Sequence, residues 1–117
     1  MPAPSPQLAS KLSQVRSLLE RGLHAQARPV VQKLAQQHPS EPAVAALASL
    51  THYHLAELPQ AIYHAQRLVS LSPDSADAHT TLAGLLIAER RTDEALASLL
   101  AAASLAPGDP SIPLQAA

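Results

Sequence analysis

The sequence predicts an all-α fold, a tandem array of antiparallel helix hairpins, on three observations. Pro39, Pro73 and Pro107 stand 34 residues apart. Ala27, Ala61 and Ala95 repeat that interval, each twelve residues before one of the prolines. The stretches between share one texture, as "AIYHAQRLVSLSP" and "ALASLLAAASLAP" show: apolar residues at helical spacing, closed by a proline. A fixed period of this length marks a repeat architecture, in which each unit buries its apolar face only against its neighbours.

The elements follow in order. Residues 1–7, "MPAPSPQ", read as a flexible N-terminal segment; 8–41, 42–75 and 76–109 as three units; 110–117 as the start of a fourth unit or a tail. Proline has no amide hydrogen and crowds the preceding turn, so helix stops by "HP", "SP" or "AP" and restarts after a polar link. In unit one the break between its two helices is "ERGLH", where Gly22 supplies a left-handed closing residue. Pro29 lies inside the following helix, which is expected to begin late or bend there. In unit two the first helix spans Pro42 to Leu55, and "AELP" leads to a second from about Pro59 to Leu71. In unit three the break is "ERRTDEA", with Thr92 as N-cap and Asp93 and Glu94 in the first turn.

Composition sets the rest. The 117 residues include no Phe, Trp or Cys and only two Tyr, so the core must be built from Leu, Val, Ile and Ala. Small residues recurring at Ala27, Ala61 and Ala95 fit places where helix backbones cross closely. A net charge of −1 and 47% apolar residues argue against a nucleic-acid partner and against disorder of the whole chain. The lack of cysteine rules out disulfides and thiolate chemistry and fits a reducing compartment, with cytoplasm as the expectation. The longest charge-free apolar stretch is too short to span a bilayer, and no membrane partner is expected.

Candidate chemistry is sparse. His52, Tyr53 and His54 adjoin in "THYHL", but residues two apart on a helix diverge by roughly 200°, so the two imidazoles cannot share an ion. No other histidine pairs with a ligand at convincing helical spacing, and no metal site is expected. No "GxSxG" occurs, and Gly22, Gly84 and Gly108 form no phosphate loop. Glu89, Asp93 and Glu94 read as caps and solvated charge. Neither catalytic residues nor a cofactor are expected, and the chain reads as not an enzyme.

Leu82, Ala83, Ala95, Leu99, Ala102 and Pro107 of unit three, Ala48, Ser49, Ala61 and Pro73 of unit two, and Gly22, Ala27 and Pro39 of unit one together resemble the tetratricopeptide repeat (TPR). Unit one departs most, with Lys11, Gln14 and Val15 where Trp, Leu and a small residue are usual. The resemblance implies a right-handed superhelix, a TPR-like α-solenoid, whose inner groove is lined by the first helix of each unit. It places Leu12, Arg16 and Leu19, then Leu50, Tyr53 and His54, then Asp77, Thr80 and Ile87 on that groove. It turns His52 into the hairpin core and gives His24 and His79 ring-sized packing positions. A buried neutral histidine is charged only at a cost, so stability is expected to fall below about pH 6.

Some members of the family hold the C-terminal carboxylate of chaperones with Lys, Asn and Arg; here Leu12, Asp77 and Thr81 stand at such positions. The apolar groove residues suit a partner's apolar helix or extended segment, or equally cover a helix of the chain itself. Two further features bear on partners. From Ala95 to Ala106 the last helix carries no charge on any side. Residues 8–34 carry five basic and one acidic residue, whereas 69–117 carry two basic and six acidic, so opposite ends could stack in a self-association through the C-terminal helix. The expected function is a protein–protein interaction module or scaffold. The alternative, by family analogy, is the N-terminal recognition arm of a larger glycosyltransferase or sulfotransferase polypeptide.

Overall fold

The computed structural model describes residues 5–106. These form six helices and no strand: α1 (Pro6–Glu20), α2 (His24–Gln37), α3 (Pro42–His54), α4 (Leu58–Leu71), α5 (Ala76–Ala88) and α6 (Thr92–Leu105). They pair in chain order as three antiparallel hairpins, with α3 packed on α2 and α5 on α4. Pro107, most of the N-terminal segment expected to be flexible, and the fourth unit or tail expected at 110–117 lie outside the described residues.

Each hairpin turns on the same device. Gly22, Ala56 and Arg90 have φ of 75°, 60° and 61°, and they too stand 34 residues apart. Behind each, one amide reaches five residues back: Leu23 to the Leu18 carbonyl, Glu57 to His52 and Arg91 to Leu86, all at 2.8 Å. This 6→1 bond closes a helix by spending one residue in the left-handed region. Only unit one puts glycine there; a side chain in that conformation costs roughly 1–2 kcal/mol. Ala56→Gly and Arg90→Gly are therefore each expected to stabilise the chain by about 0.5–1 kcal/mol, offset in part by glycine's greater unfolded-state freedom. Urea titration of each variant checks this; a midpoint at or below the parent's would count against strain at these turns.

Helix starts follow local chemistry, with two corrections. The Ser5 and Ser75 hydroxyls accept the Leu8 and Ala78 amides at 3.2 Å, and Pro42 occupies the first turn of α3. Thr92 is not the N-cap of α6. Arg91 takes that place, without a side-chain bond to the backbone, because the left-handed Arg90 hands over to the helix directly. Nor does α2 begin late: it runs through Pro29 from His24. Pro29 and Ala25 are both exposed, so water can hydrate the carbonyl that proline leaves without an amide.

The core falls into two aliphatic clusters. One joins α1, α2 and α3 through Leu8, Leu12, Val15, Val31, Leu34 and Leu47; the other joins α4, α5 and α6 through Ile62, Ala65, Leu82, Leu85, Leu86 and Ala95. Polar side chains bridge them within the second hairpin: Ser49 Oγ donates to the Ala61 carbonyl at 3.0 Å, and His52 is buried. Thr51 Oγ1 donates to the Leu47 carbonyl at 2.7 Å, and among the described residues no buried side-chain nitrogen or oxygen lacks a partner. Ala27, Ala61 and Ala95 are 0%, 0% and 1% exposed, as helix crossings require.

The departures in unit one have a packing reason. Val44, Ala45, Leu47, Ala48 and Thr51 are buried on α3, whereas their counterparts one period earlier are Ser10, Lys11, Ser13, Gln14 and Ser17, all exposed. The face by which α3 meets α2 is thus a hydrated surface on α1.

Candidate functional site: a concave groove on α3 and α5

Helices α3 and α5, both packed on α4, line a shared concavity of about 380 Å³. Ala46, Ser49, Leu50 and Tyr53 line it from α3; Thr80, Thr81, Gly84 and Leu85 line it from α5; Leu68 of α4 completes it. Leu50 and Tyr53 are 42% and 49% exposed, a large apolar surface at the centre of the chain. A Cβ at Gly84 would meet no neighbouring atom within 4 Å, so the space it would fill belongs to the groove. Thr80 Oγ1 donates to the Ala76 carbonyl at 2.9 Å, which leaves its oxygen only an acceptor's capacity. The site is apolar with few hydrogen-bonding groups, a surface for side chains more than for charged ends.

Of the residues expected on the groove, the structure gathers Leu50, Tyr53 and Thr80 in this concavity. Ile87, His54, Asp77 and Arg16 are exposed outside it. Leu19 is half-buried against the first cluster. Leu12 is 3% exposed, sealed within the core of α1–α3, and cannot touch a partner. Its isolation follows from the hydrated face of α1: the first hairpin has little apolar surface, and Leu12 is spent on closing its own core.

The three rings of "THYHL" separate. Tyr53 stands open in the groove. His54 stacks on His24 of α2, centroids 4.4 Å apart and planes 11° from parallel. His52 is 2% exposed and lies 5.3 Å from His64 of α4, planes 5° from parallel. Parallel rings aim their nitrogen lone pairs side by side, and among the described residues no three His, Asp or Glu side chains gather as metal ligands.

Sequence reasoning missed the linkage around Glu57. Arg28 of α2 donates through Nε to Oε1 and pairs through Nη2 with Oε2, both at 2.9 Å, and His52 Nδ1 lies 2.8 Å from the same Oε1. The hydrogen bond from Arg28, then that from His52, holds the Glu57 carboxyl below its ordinary range. A carboxylate in the turn of one hairpin thereby ties down an arginine of the previous one. The three residues come from three elements at unrelated spacings, and no local pattern encodes their meeting.

The acid-sensitive group also differs from expectation. His24 and His79 are only half-buried. His64 has the depressed pKa, about 4 from an ordinary 6.5, through burial first and then the positive charges of His52 and Arg67. Because the unfolded chain takes up this proton first, stability is present above pH 6.5 and is lost as pH falls from there to about 4. The shift caps the loss at roughly 3 kcal/mol, and partial exposure of the ring brings the expected value to about 1–2 kcal/mol. Melting curves from pH 7.5 to 4.5 should fall for the parent and be flatter for His64→Gln; parallel curves would exclude His64 as the cause.

The chain can now be set beside known proteins. The family model described as tetratricopeptide repeat matches residues 54–117. No curated protein matches the sequence. Among solved structures, the chain is similar to the Yersinia enterocolitica type III secretion chaperone SycD in complex with a peptide of the translocator YopD: TM-score 0.83, 17% identity, covering 92% of this chain and 82% of that one. It is also similar to the first TPR of Spaghetti (RPAP3) bound to the HSP90 peptide SRMEEVD: TM-score 0.84, 14% identity, 94% and 87% coverage. A Thermobaculum terrenum O-GlcNAc transferase aligns at TM-score 0.76 and 22% identity over 91% of this chain but 21% of its own. At such identities these are likenesses of fold. Six helices stacked as hairpins on a 34-residue period, together with a family match over more than half the sequence, place the chain in the tetratricopeptide repeat family.

Proposed function

We propose that the chain is a non-catalytic binding module that holds an apolar segment of a partner protein in the groove between α3 and α5. The observation that carries this is the exposed pair Leu50 and Tyr53 beside the empty space over Gly84. Burying the apolar lining under a partner offers roughly 2 kcal/mol at about 25 cal/mol per Å². That the SycD and RPAP3 structures hold bound peptides supports the same use of this fold. We read the chain as three repeats, 8–41, 42–75 and 76–109, with His54, Asp77, Arg16 and Ile87 as contacts beyond the central concavity for a longer segment. Leu100 and Leu105, 55% and 41% exposed on α6, offer a second apolar contact at the other end. Stacking of copies end to end is a poorer reading, since α6 would meet the hydrated Ser10, Ser13, Gln14 and Ser17 of α1.

The test is capture from a cell extract by the parent, by Leu50→Asp and by Tyr53→Ala, with circular dichroism to verify folding. Loss of the same captured protein in both variants is expected, with at least a tenfold fall in affinity; undiminished capture would remove the groove from the function. A second reading, a recognition arm of a larger glycosyltransferase or sulfotransferase, is favoured by one observation: the O-GlcNAc transferase that aligns here devotes 21% of its chain to the match.

A further inference from the structure

A second concavity, about 510 Å³ and sharing no residue with the groove, opens between α2 and α4. Its lining is of a different kind. Gln32 and Gln36 stand on α2, Gln60, His64 and Arg67 on α4, and the buried His52 of α3 lies between them. His52 has one nitrogen committed: Nδ1 meets the Glu57 carboxylate at 2.8 Å, so that nitrogen carries the hydrogen. The other, Nε2, makes no hydrogen bond among the described residues, yet no buried side-chain nitrogen there is left unpartnered. Nε2 therefore keeps an opening to solvent, and the cleft that His52 lines supplies it.

The charges around the cleft favour an anion. Arg67 donates to the Pro39 carbonyl and pairs with no carboxylate among the described residues. His38, His52 and His64 add three imidazoles. The first turn of α3 contributes Val44 and Ala45, whose amides are already bonded to the Glu41 carbonyl, so that helix adds only the positive end of its dipole. Against these stands the Glu41 carboxylate alone, because both Glu57 oxygens are taken by Arg28 and His52. Tyr63 adds a phenolic hydroxyl to the lining.

We propose that this cleft is a second binding site, for a carboxylate-bearing ligand, anchored by the Arg67 guanidinium between walls that carry Gln32, Gln36 and Gln60. The ligand's oxygens replace the counter-charge that Arg67 lacks, and the glutamines of the two walls supply neutral donors beside it. The ligand's negative charge offsets the positive surroundings that, after burial, hold the His64 proton affinity down. Affinity therefore rises on mild acidification, the opposite sense to the stability of the unliganded chain. Two sources share this chemistry, an acidic stretch of another protein and a free polycarboxylate.

The experiment is a titration of the full chain at low salt with hexaglutamate peptide and, separately, with citrate, followed by NMR of the imidazole rings at pH 6.5 and 8. Saturable shifts of His52 and His64 are expected, weaker at pH 8. Arg67→Gln should weaken binding at least tenfold and Glu41→Gln should tighten it severalfold, while Leu50→Asp, which addresses the groove, should leave it unchanged. Binding of hexaglutamate but not citrate assigns the site to an acidic segment, and equal binding of citrate assigns it to a free polyacid. Imidazole signals that stay still with both ligands at millimolar concentration, or that move identically in Arg67→Gln and Glu41→Gln, would overturn the proposal.

Discussion

Ala61→Leu is expected to destabilise the chain by about 1–3 kcal/mol, which lowers the melting temperature by several degrees for a domain of this size. Ala61 has no exposed surface, and its carbonyl accepts the Ser49 hydroxyl across the second hairpin. Three extra heavy atoms can enter only by pushing α3 from α4, which lengthens that bond and strands a buried hydroxyl. The crossing lies where the two aliphatic clusters meet, so neither can yield without disturbing the other. Ala97→Leu, at an exposed place on α6, is the control and should change little. A thermal melt in which both variants match the parent would mean that α3 and α4 do not cross at residue 61.

His52→Ala is expected to cost about 2–4 kcal/mol, the range for removing a large buried side chain. The loss has two parts that a second variant separates. Leu18 and Leu86 occupy the same place in the neighbouring hairpins, so His52→Leu keeps the volume and removes the bond to Glu57 and the ring stack on His64. Glu57 retains Arg28, and no buried charge is left bare. His52→Leu should therefore lie within about 1.5 kcal/mol of the parent. Equal losses for Ala and Leu would assign the energy to the Glu57 bond and the stack, and not to the ring's volume.

The period, the hairpins and the buried alanines could be read from sequence because each leaves a mark at fixed spacing: Pro39 and Pro73 stop helices, and Ala27, Ala61 and Ala95 repeat at crossings. The three hairpin breaks could be read at "ERGLH", "AELP" and "ERRTDEA", but the left-handed residue only where glycine flagged it. Gly22 did; Ala56 and Arg90 adopt the same left-handed conformation without any sign in their chemistry. The groove was legible at Leu50, Tyr53 and Thr80, where the register of α3 and α5 fixes direction. It failed at Leu12, because register says which way a residue faces and not whether its own hairpin needs it for core. The Arg28–Glu57–His52 linkage and the His64 stack escaped altogether, since both join residues of different helices through side-chain length and rotamer.

The two aliphatic clusters meet inside the second hairpin, between α3 and α4, and not at the borders of the sequence period. The Ser49 hydroxyl and the His52–His64 stack carry much of that seam. Helices α3 and α4 nonetheless pack on each other as closely as α5 and α6 do, so backbone amide exchange should show the second hairpin opening as one unit. Two aliphatic halves are thus joined by directional polar groups, which fix the register of α3 on α4 more narrowly than aliphatic contact alone would.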